Sequence, residues 1–155
     1  GKYGDFAVYS FSKIFPIQLG GLLVNNNNLI TGKSAIEPGI LSYIKKVISH
    51  QIKQQDQLLD KRASIYKYGI EQFNRLGFTE RFFRNKFTVP YAMLLNNNGI
   101  VHDLPALKNY LWQHGIQSSV FYGEDAFFLP GHQNLTEADV DYFFEVMRLF
   151  KNKDC

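Results

Sequence analysis

The chain has 155 residues, 45% of them hydrophobic and 15% aromatic, with 17 Lys/Arg against 14 Asp/Glu for a net charge of +3. That composition belongs to a globular protein rather than a disordered tail, and no apolar run approaches the ~20 residues of a membrane-spanning helix. The single cysteine, Cys155, excludes an internal disulfide and suits a reducing compartment, so the cytoplasm is the expected location.

Asp5 to Phe11 is nearly continuous in apolar residues, as expected of a strand covered on both faces. Lys13 follows in Ser10-Phe11-Ser12-Lys13, ahead of the chain-breaking Pro16 and a tight return at Gly20-Gly21 into a second strand, Leu22 to Asn25. A lysine held between such elements and partly desolvated suits a Schiff base to an aldehyde cofactor, and Ser10 is placed to donate to a phosphate. On pattern alone a solvated loop lysine is the leading reading. The run Asn25 to Asn28 reads as a turn, because asparagine tolerates left-handed backbone and bonds its own neighbours.

From Ile40 to about Leu76 the apolar residues Ile44, Val47, Ile48, Leu59, Ala63, Tyr66, Ile70 and Phe73 recur at threes and fours, with Gly77 as the stop. One straight helix would run about 55 Å at 1.5 Å per residue, so a bend or break is expected, with Lys53 to Gln57 the polar stretch. Beyond it, Phe87 to Leu95 reads as a strand that Pro90 assigns to an edge or a bulge. Asn98-Gly99 marks a turn, and Asp103 caps a helix from Leu104 to His114 ended by Gly115. Ile116 to Val120 is a short strand. Thr136 and Asp139 open a last helix whose Val140, Phe143, Phe144, Met147 and Phe150 form one apolar stripe. The expected fold class is α/β (α+β): a small mixed sheet with helices on one face, preceded by a strand pair and a long linking helix.

Charge is unevenly spread. Residues 44–86 hold ten Lys/Arg against four Asp/Glu, and residues 87–155 hold four against eight. Arg81 to Phe87 interleaves basic and aromatic residues as single-stranded nucleic acid binders do, but a solvated helix face is the favoured reading, so nucleic acid is not an expected partner. The four histidines, His50, His102, His114 and His132, show no metal-binding spacing, and no metal site is expected.

The stretches Asp5 to Lys13 and Gly20 to Val24 resemble the cofactor-lysine segment of fold-type-I pyridoxal-phosphate (PLP) aminotransferases, most similarly the DegT/StrS sugar aminotransferases. Leu129-Pro130-Gly131-His132-Gln133-Asn134-Leu135-Thr136, running into the last helix, resembles the closing segment of that group, where a Leu-Pro turn precedes the final cap. Leu107 to Ser119 fits the same terminal domain, and Gln57-Leu58, Arg62 and Tyr66 form a weaker third match. The resemblance implies PLP held at Lys13, with Ser10 on its phosphate. It places Tyr122 and His132 near the substrate and makes the protein a homodimer. The implied reaction moves an amino group from an amino acid, with glutamate as donor, to a nucleotide-linked keto-sugar. Only twelve residues precede Lys13, whereas the group's other cofactor contacts lie upstream of the lysine. The chain is therefore expected to be the carboxyl-terminal half of a larger protein and inactive alone. On that reading residues 1–39 are a remnant of the large cofactor-binding domain, residues 40–77 the linking helix and residues 78–155 the small domain. The group's Gly-Glu-Gly-Gly reads Gln18-Leu19-Gly20-Gly21 here, and no convincing copy of its asparagine-containing stretch is present. Those departures favour the alternative, a non-catalytic binding or assembly module of the same fold.

Overall fold

In a computed structural model, which describes residues 3–32, 35–85 and 88–154, the apolar run after Asp5 forms strand β1 (Phe6–Ser10). It pairs antiparallel with β2 (Gly21–Asn25), from Phe6 opposite Asn25 to Ser10 opposite Gly21. A short 3-10 turn, Phe11–Lys13, leaves β1, and the Phe11 amide donates to the Gly20 carbonyl at 3.2 Å. The return needs glycine. Gly20 has φ +99°, and a Cβ on Gly21 would lie 2.7 Å from the Tyr9 carbonyl oxygen. Asn28 is left-handed at φ 51°, and the Asn25 side chain accepts from the Leu29 amide at 3.0 Å and donates to the Ile30 carbonyl at 2.9 Å. The two-sided cover expected of β1 is not supplied by the described residues. Val8 is 79% exposed, and Phe6, Tyr9, Leu22 and Leu23 are exposed with it. A two-stranded ribbon has two faces, and its own residues cannot bury both.

The helical stretch comprises α1 (Pro38–Gln51), a 3-10 turn at Ile52–Gln54 and α2 (Gln55–Leu76). The interruption falls where the apolar pattern thins, and the backbone stays right-handed through it. The chain divides into two units near this point, residues 1–56 and residues 57–155. In the first, Ile17 and Ile44 are buried and the Phe11 and Phe15 rings meet edge-on at 6.4 Å.

The second unit is built on a four-stranded sheet in the order β3-β4-β6-β5, from β3 (Thr79–Glu80), β4 (Ala92–Asn96), β5 (Ser119–Val120) and β6 (Ala126–Pro130). All three pairings are antiparallel, so what is mixed is helix with sheet, not strand direction. Helices α3 (Leu104–Gln113) and α4 (Glu137–Asp154) complete the unit. Met93, Leu95, Phe127 and Leu129, all 0% exposed, form one sheet face. They share a buried core with Tyr66 and Phe73 of α2, Leu107 and Leu111 of α3, and Val140 and Met147 of α4. Helices α2, α3 and α4 therefore pack on that face. Gly69 of α2 lets the Met93 sulfur approach to 2.5 Å from where a Cβ would stand.

Three corrections concern strands. The strand expected from Phe87 begins at Ala92 and lies inside the sheet, so the edge role drawn from Pro90 does not apply to it; Phe87 itself lies outside the described residues. Strand β3 was not expected. Nor was β6, whose Leu129-Pro130 closes a central strand where a turn was expected; proline is tolerated there because the ladder ends at it.

The helix ends follow local chemistry. Asp103 accepts from the Ala106 amide at 2.9 Å, and Thr136 exchanges bonds with Asp139, its amide and hydroxyl both donating to Oδ2 at 2.7 Å. At the end of β4, Asn97 is 2% exposed. Its Nδ2 donates to the Val101 carbonyl at 2.9 Å and to Asp125 Oδ1 at 2.7 Å, and its Oδ1 accepts from the Val101 amide at 3.0 Å. Truncating this side chain strands buried partners, so Asn97→Ala is expected to cost about 2–3 kcal/mol. Urea unfolding followed through the single tryptophan, which lies in this unit, measures it; a loss under about 0.5 kcal/mol would contradict the assigned role.

Candidate functional site

Ser10 ends β1 and Lys13 ends the 3-10 turn that follows, so the hairpin fixes both within four residues of chain. Ser10 Oγ lies 3.4 Å from Ser12 Oγ, which puts two hydroxyls beside the lysine. All three residues are exposed. The partial desolvation expected of Lys13 is thus not supplied by the described residues, which also leave the β1 and β2 side chains Val8, Tyr9, Leu22 and Leu23 exposed.

Of the two residues expected near substrate, Tyr122 is 73% exposed on the turn between β5 and β6. His132 is in a different setting. It lines a cleft of about 440 Å³ in the second unit, with Tyr91, Ala92, Phe128, Pro130 and Gly131 from β4, β6 and their ends. Alternation in β6 explains the cleft wall: Phe127 and Leu129 point into the core, which turns Phe128 and Pro130 to the other face. Gln117, Ser118 and Ser119 add polar groups, and Trp112 comes from the last turn of α3. The indole is pinned, its Nε1 donating to the Ser118 carbonyl at 2.8 Å. Tyr122 is not among the cleft residues.

Behind the cleft stands Arg62 of α2, only 3% exposed. Its Nε and Nη2 donate to Gln133 Oε1 at 3.2 and 2.6 Å, and the guanidinium lies 5.8 Å from the Tyr91 ring centre. Burial lowers its pKa, yet an arginine remains cationic near neutrality. This bond joins α2 to the segment after β6 across 71 residues of sequence. Tyr66, one turn on, donates to Glu80 Oε1 at 2.6 Å, and Arg84 donates to the same oxygen at 2.9 Å. Burial, with the Glu80 bond, raises the Tyr66 pKa and keeps the phenol a donor. Sequence reasoning picked out Arg62 and Tyr66 but not their partners, nor Tyr91, Trp112 and Phe128 as a group. The signal that was available for Phe128 is the alternation of its strand.

The basic stretch has its charge answered in part. Arg81 pairs with Glu124 at 3.0 Å and Arg84 with Glu80 at 2.9 Å, so neither is a bare cation for a phosphate. Lys86 and Phe87 of that stretch lie outside the described residues. Among the described residues no three His, Cys, Asp or Glu side chains gather as metal ligands, and no helix is long and apolar enough to cross a membrane.

The imidazole of His132 is poised by its surroundings. Partial packing of the ring lowers its pKa, the Arg62 charge lowers it further, and Asp139 opposes both. Its Nδ1 accepts from the Asn134 amide at 3.2 Å, a bond that only the neutral ring can make. A folded-state pKa below the unfolded one stabilises the fold above the unfolded value, and that contribution is lost as pH falls through the folded value. NMR titration is expected to place His132 below the ordinary 6.5, and Asp139→Asn to move it lower still. A midpoint at or above 6.5 would contradict this arrangement.

The chain is similar in fold to a candidate sugar aminotransferase of Streptococcus pneumoniae. Against its PLP form the TM-score is 0.61 at 16% identity, over 74% of this chain and 36% of that one. Against its PMP form the TM-score is 0.59 at 17% identity, over 68% and 33%. A DegT/DnrJ/EryC1/StrS aminotransferase of Brucella abortus gives 0.52 at 18% identity, over 68% and 34%. This chain thus spans about one third of the length of the structures it matches. No protein-family model matches it, and no curated protein matches it in sequence. At these identities the likeness is one of fold: the chain is similar in fold to part of each of these aminotransferase structures.

Proposed function

We propose that this chain is the carboxyl-terminal part of a PLP-dependent aminotransferase. In the complete, homodimeric, cytoplasmic enzyme it would help move an amino group from an amino acid to a nucleotide-linked keto-sugar. The observation that carries the reading is a lysine at the end of a strand-and-glycine hairpin, in a chain whose fold matches a protein solved in PLP and PMP forms. The residues fit the group. Ser10 and Ser12 offer two exposed hydroxyls to a phosphate, and the close return at Gly20-Gly21 fixes the turn that carries Lys13.

When bound, PLP supplies an aldehyde carbon for an amine and an electron sink for charge that develops at the substrate's α-carbon. Lys13 would hold that aldehyde, and its ε-amine would carry the proton at the substrate's α-carbon as base and then as acid. Ser10 would hold the phosphate. His132, on the cleft edge, and Tyr122, on its turn, are proposed to lie near the acceptor. Exposure of Ser10, Ser12 and Lys13 supports the view that these 155 residues alone do not transaminate, because both proton transfer and charge stabilisation gain from exclusion of water. The same exposure, with Gln18-Leu19 in the loop, favours a second reading as a non-catalytic binding or assembly module of this fold.

In the complete protein, Lys13→Ala is expected to lower turnover by roughly 10³-fold or more, and the isolated chain supplied with PLP to show none. Assay of amino transfer from glutamate decides it. Retained turnover in the variant would remove Lys13 from the chemistry, and turnover by the isolated chain would refute its dependence on further residues.

A further inference from the structure

We infer that Asn98-Gly99 is a deamidation site which the folded second unit holds shut, so that its conversion marks molecules in which this turn has opened. The inference uses neither the Ser10–Lys13 segment nor the cleft, and it stands apart from the aminotransferase reading.

The turn itself selects the labile pair. The Asn97 carbonyl accepts from the Ile100 amide at 3.1 Å, and the two residues between them are left-handed, Asn98 at φ 55° and Gly99 at φ 71°. A turn with two positive φ angles favours asparagine followed by glycine. This is the one Asn-Gly pair in the chain, and both residues are exposed to water. Having no Cβ, the glycine leaves its own nitrogen uncrowded, which makes the pair reactive. In the reaction the Gly99 nitrogen bonds to Asn98 Cγ, the Cγ–Nδ2 bond breaks, and ammonia leaves with the proton that the Gly99 nitrogen gives up. Water then opens the cyclic imide at either carbonyl, giving aspartate or isoaspartate.

Ring closure must first undo contacts made by the fold. Asn98 Nδ2 donates to the Gly77 carbonyl at 3.0 Å and to Thr79 Oγ1 at 3.1 Å, tying the carboxamide to the end of α2 and to β3. The Gly99 N–H donates to Asp125 Oδ2 at 3.2 Å, and the other oxygen of that carboxylate accepts from the buried Asn97. A carboxylate is far too weak a base to remove an amide proton, so this bond restrains the nitrogen and does not activate it. Ile100 packs on Gly77 so closely that a Cβ there would lie 2.9 Å from its Cδ1. Turning the carboxamide onto the Gly99 nitrogen therefore means breaking two hydrogen bonds and loosening the turn from α2. The product cannot restore the latch. An aspartate has no proton to donate to the Gly77 carbonyl, and it adds negative charge at the carboxyl-terminal end of α2, where the helix dipole opposes it.

Peptide mapping of the full-length protein, aged at neutral pH both folded and in guanidinium chloride, tests this. The tryptic peptide of residues 87–108 carries Asn98, and fragmentation locates the converted residue. In denaturant Asn98 is expected to be the principal asparagine converted in that peptide, and folding to slow it at least about tenfold. Thr79→Val keeps a β-branched residue in β3 and removes one acceptor. It should raise the folded-state rate about twofold or more and leave the rate in denaturant unchanged. Asn98→Asp, which reproduces one product, should lower the midpoint of urea unfolding. Equal rates in folded and unfolded protein, a folded-state rate indifferent to Thr79→Val, persistence of Asn98 in denaturant while its neighbours convert, or an Asn98→Asp midpoint at or above the parent's would each overturn the inference.

Discussion

The second unit depends on the register of β4 against β6. Met93 stands opposite Leu129, and Leu95 opposite Phe127, so four large side chains enter one face together. Because side chains alternate, the same register sends Ala92, Phe128 and Pro130 to the other face, where they form the cleft wall. A slip by one residue would exchange the two sets, placing Phe128 beneath the helices and the core residues in water. Each buried residue of that kind carries roughly 1.5–3 kcal/mol of transfer free energy, so the core penalises any slip heavily. Core and cleft are two consequences of one pairing.

Polar contacts then tie the unit's ends to that register. Asn97 and Asp125 join the exit of β4 to the approach to β6, and Arg62 with Gln133 joins α2 to the segment that leaves β6. Both are buried or nearly so at one partner, which makes them costly to leave unpaired and therefore specific. His132 feels the charges of both Arg62 and Asp139, the latter in the Thr136–Asp139 cap. The last helix, the loop and the cleft thus share one electrostatic neighbourhood.

Much of this was legible locally. The caps at Asp103 and Thr136, the stops at Gly77 and Gly115 and the asparagine turns each depend on a few adjacent residues, and those the sequence displays. The stripe of α4 was legible as well, since a 3.6-residue period is a property of the helix itself. Strand β6 was hidden because Pro130-Gly131 reads as a turn and only four apolar residues precede it. Strand β3, two residues long, gives no periodic signal at all. Burial was the least legible quantity. The apolar run of β1 read as covered on both faces, but cover comes from a second layer, and no pattern within a strand states where that layer is. For the same reason Lys13 could be placed on its turn but not in its environment. The cleft, assembled from residues 91 to 132, was beyond sequence patterns, although His132 was singled out by resemblance.

The role proposed for Lys13 is the point on which the functional reading turns. The direct measurement is reductive trapping: treat the protein isolated from its source cells, with its native termini, with borohydride in the presence of PLP and map the modified peptide by mass spectrometry. The account predicts one principal adduct, on Lys13, formed by the amine that the strand-end turn presents. An adduct spread evenly over the surface lysines, or concentrated on another lysine, would contradict it and leave this fold as a binding module.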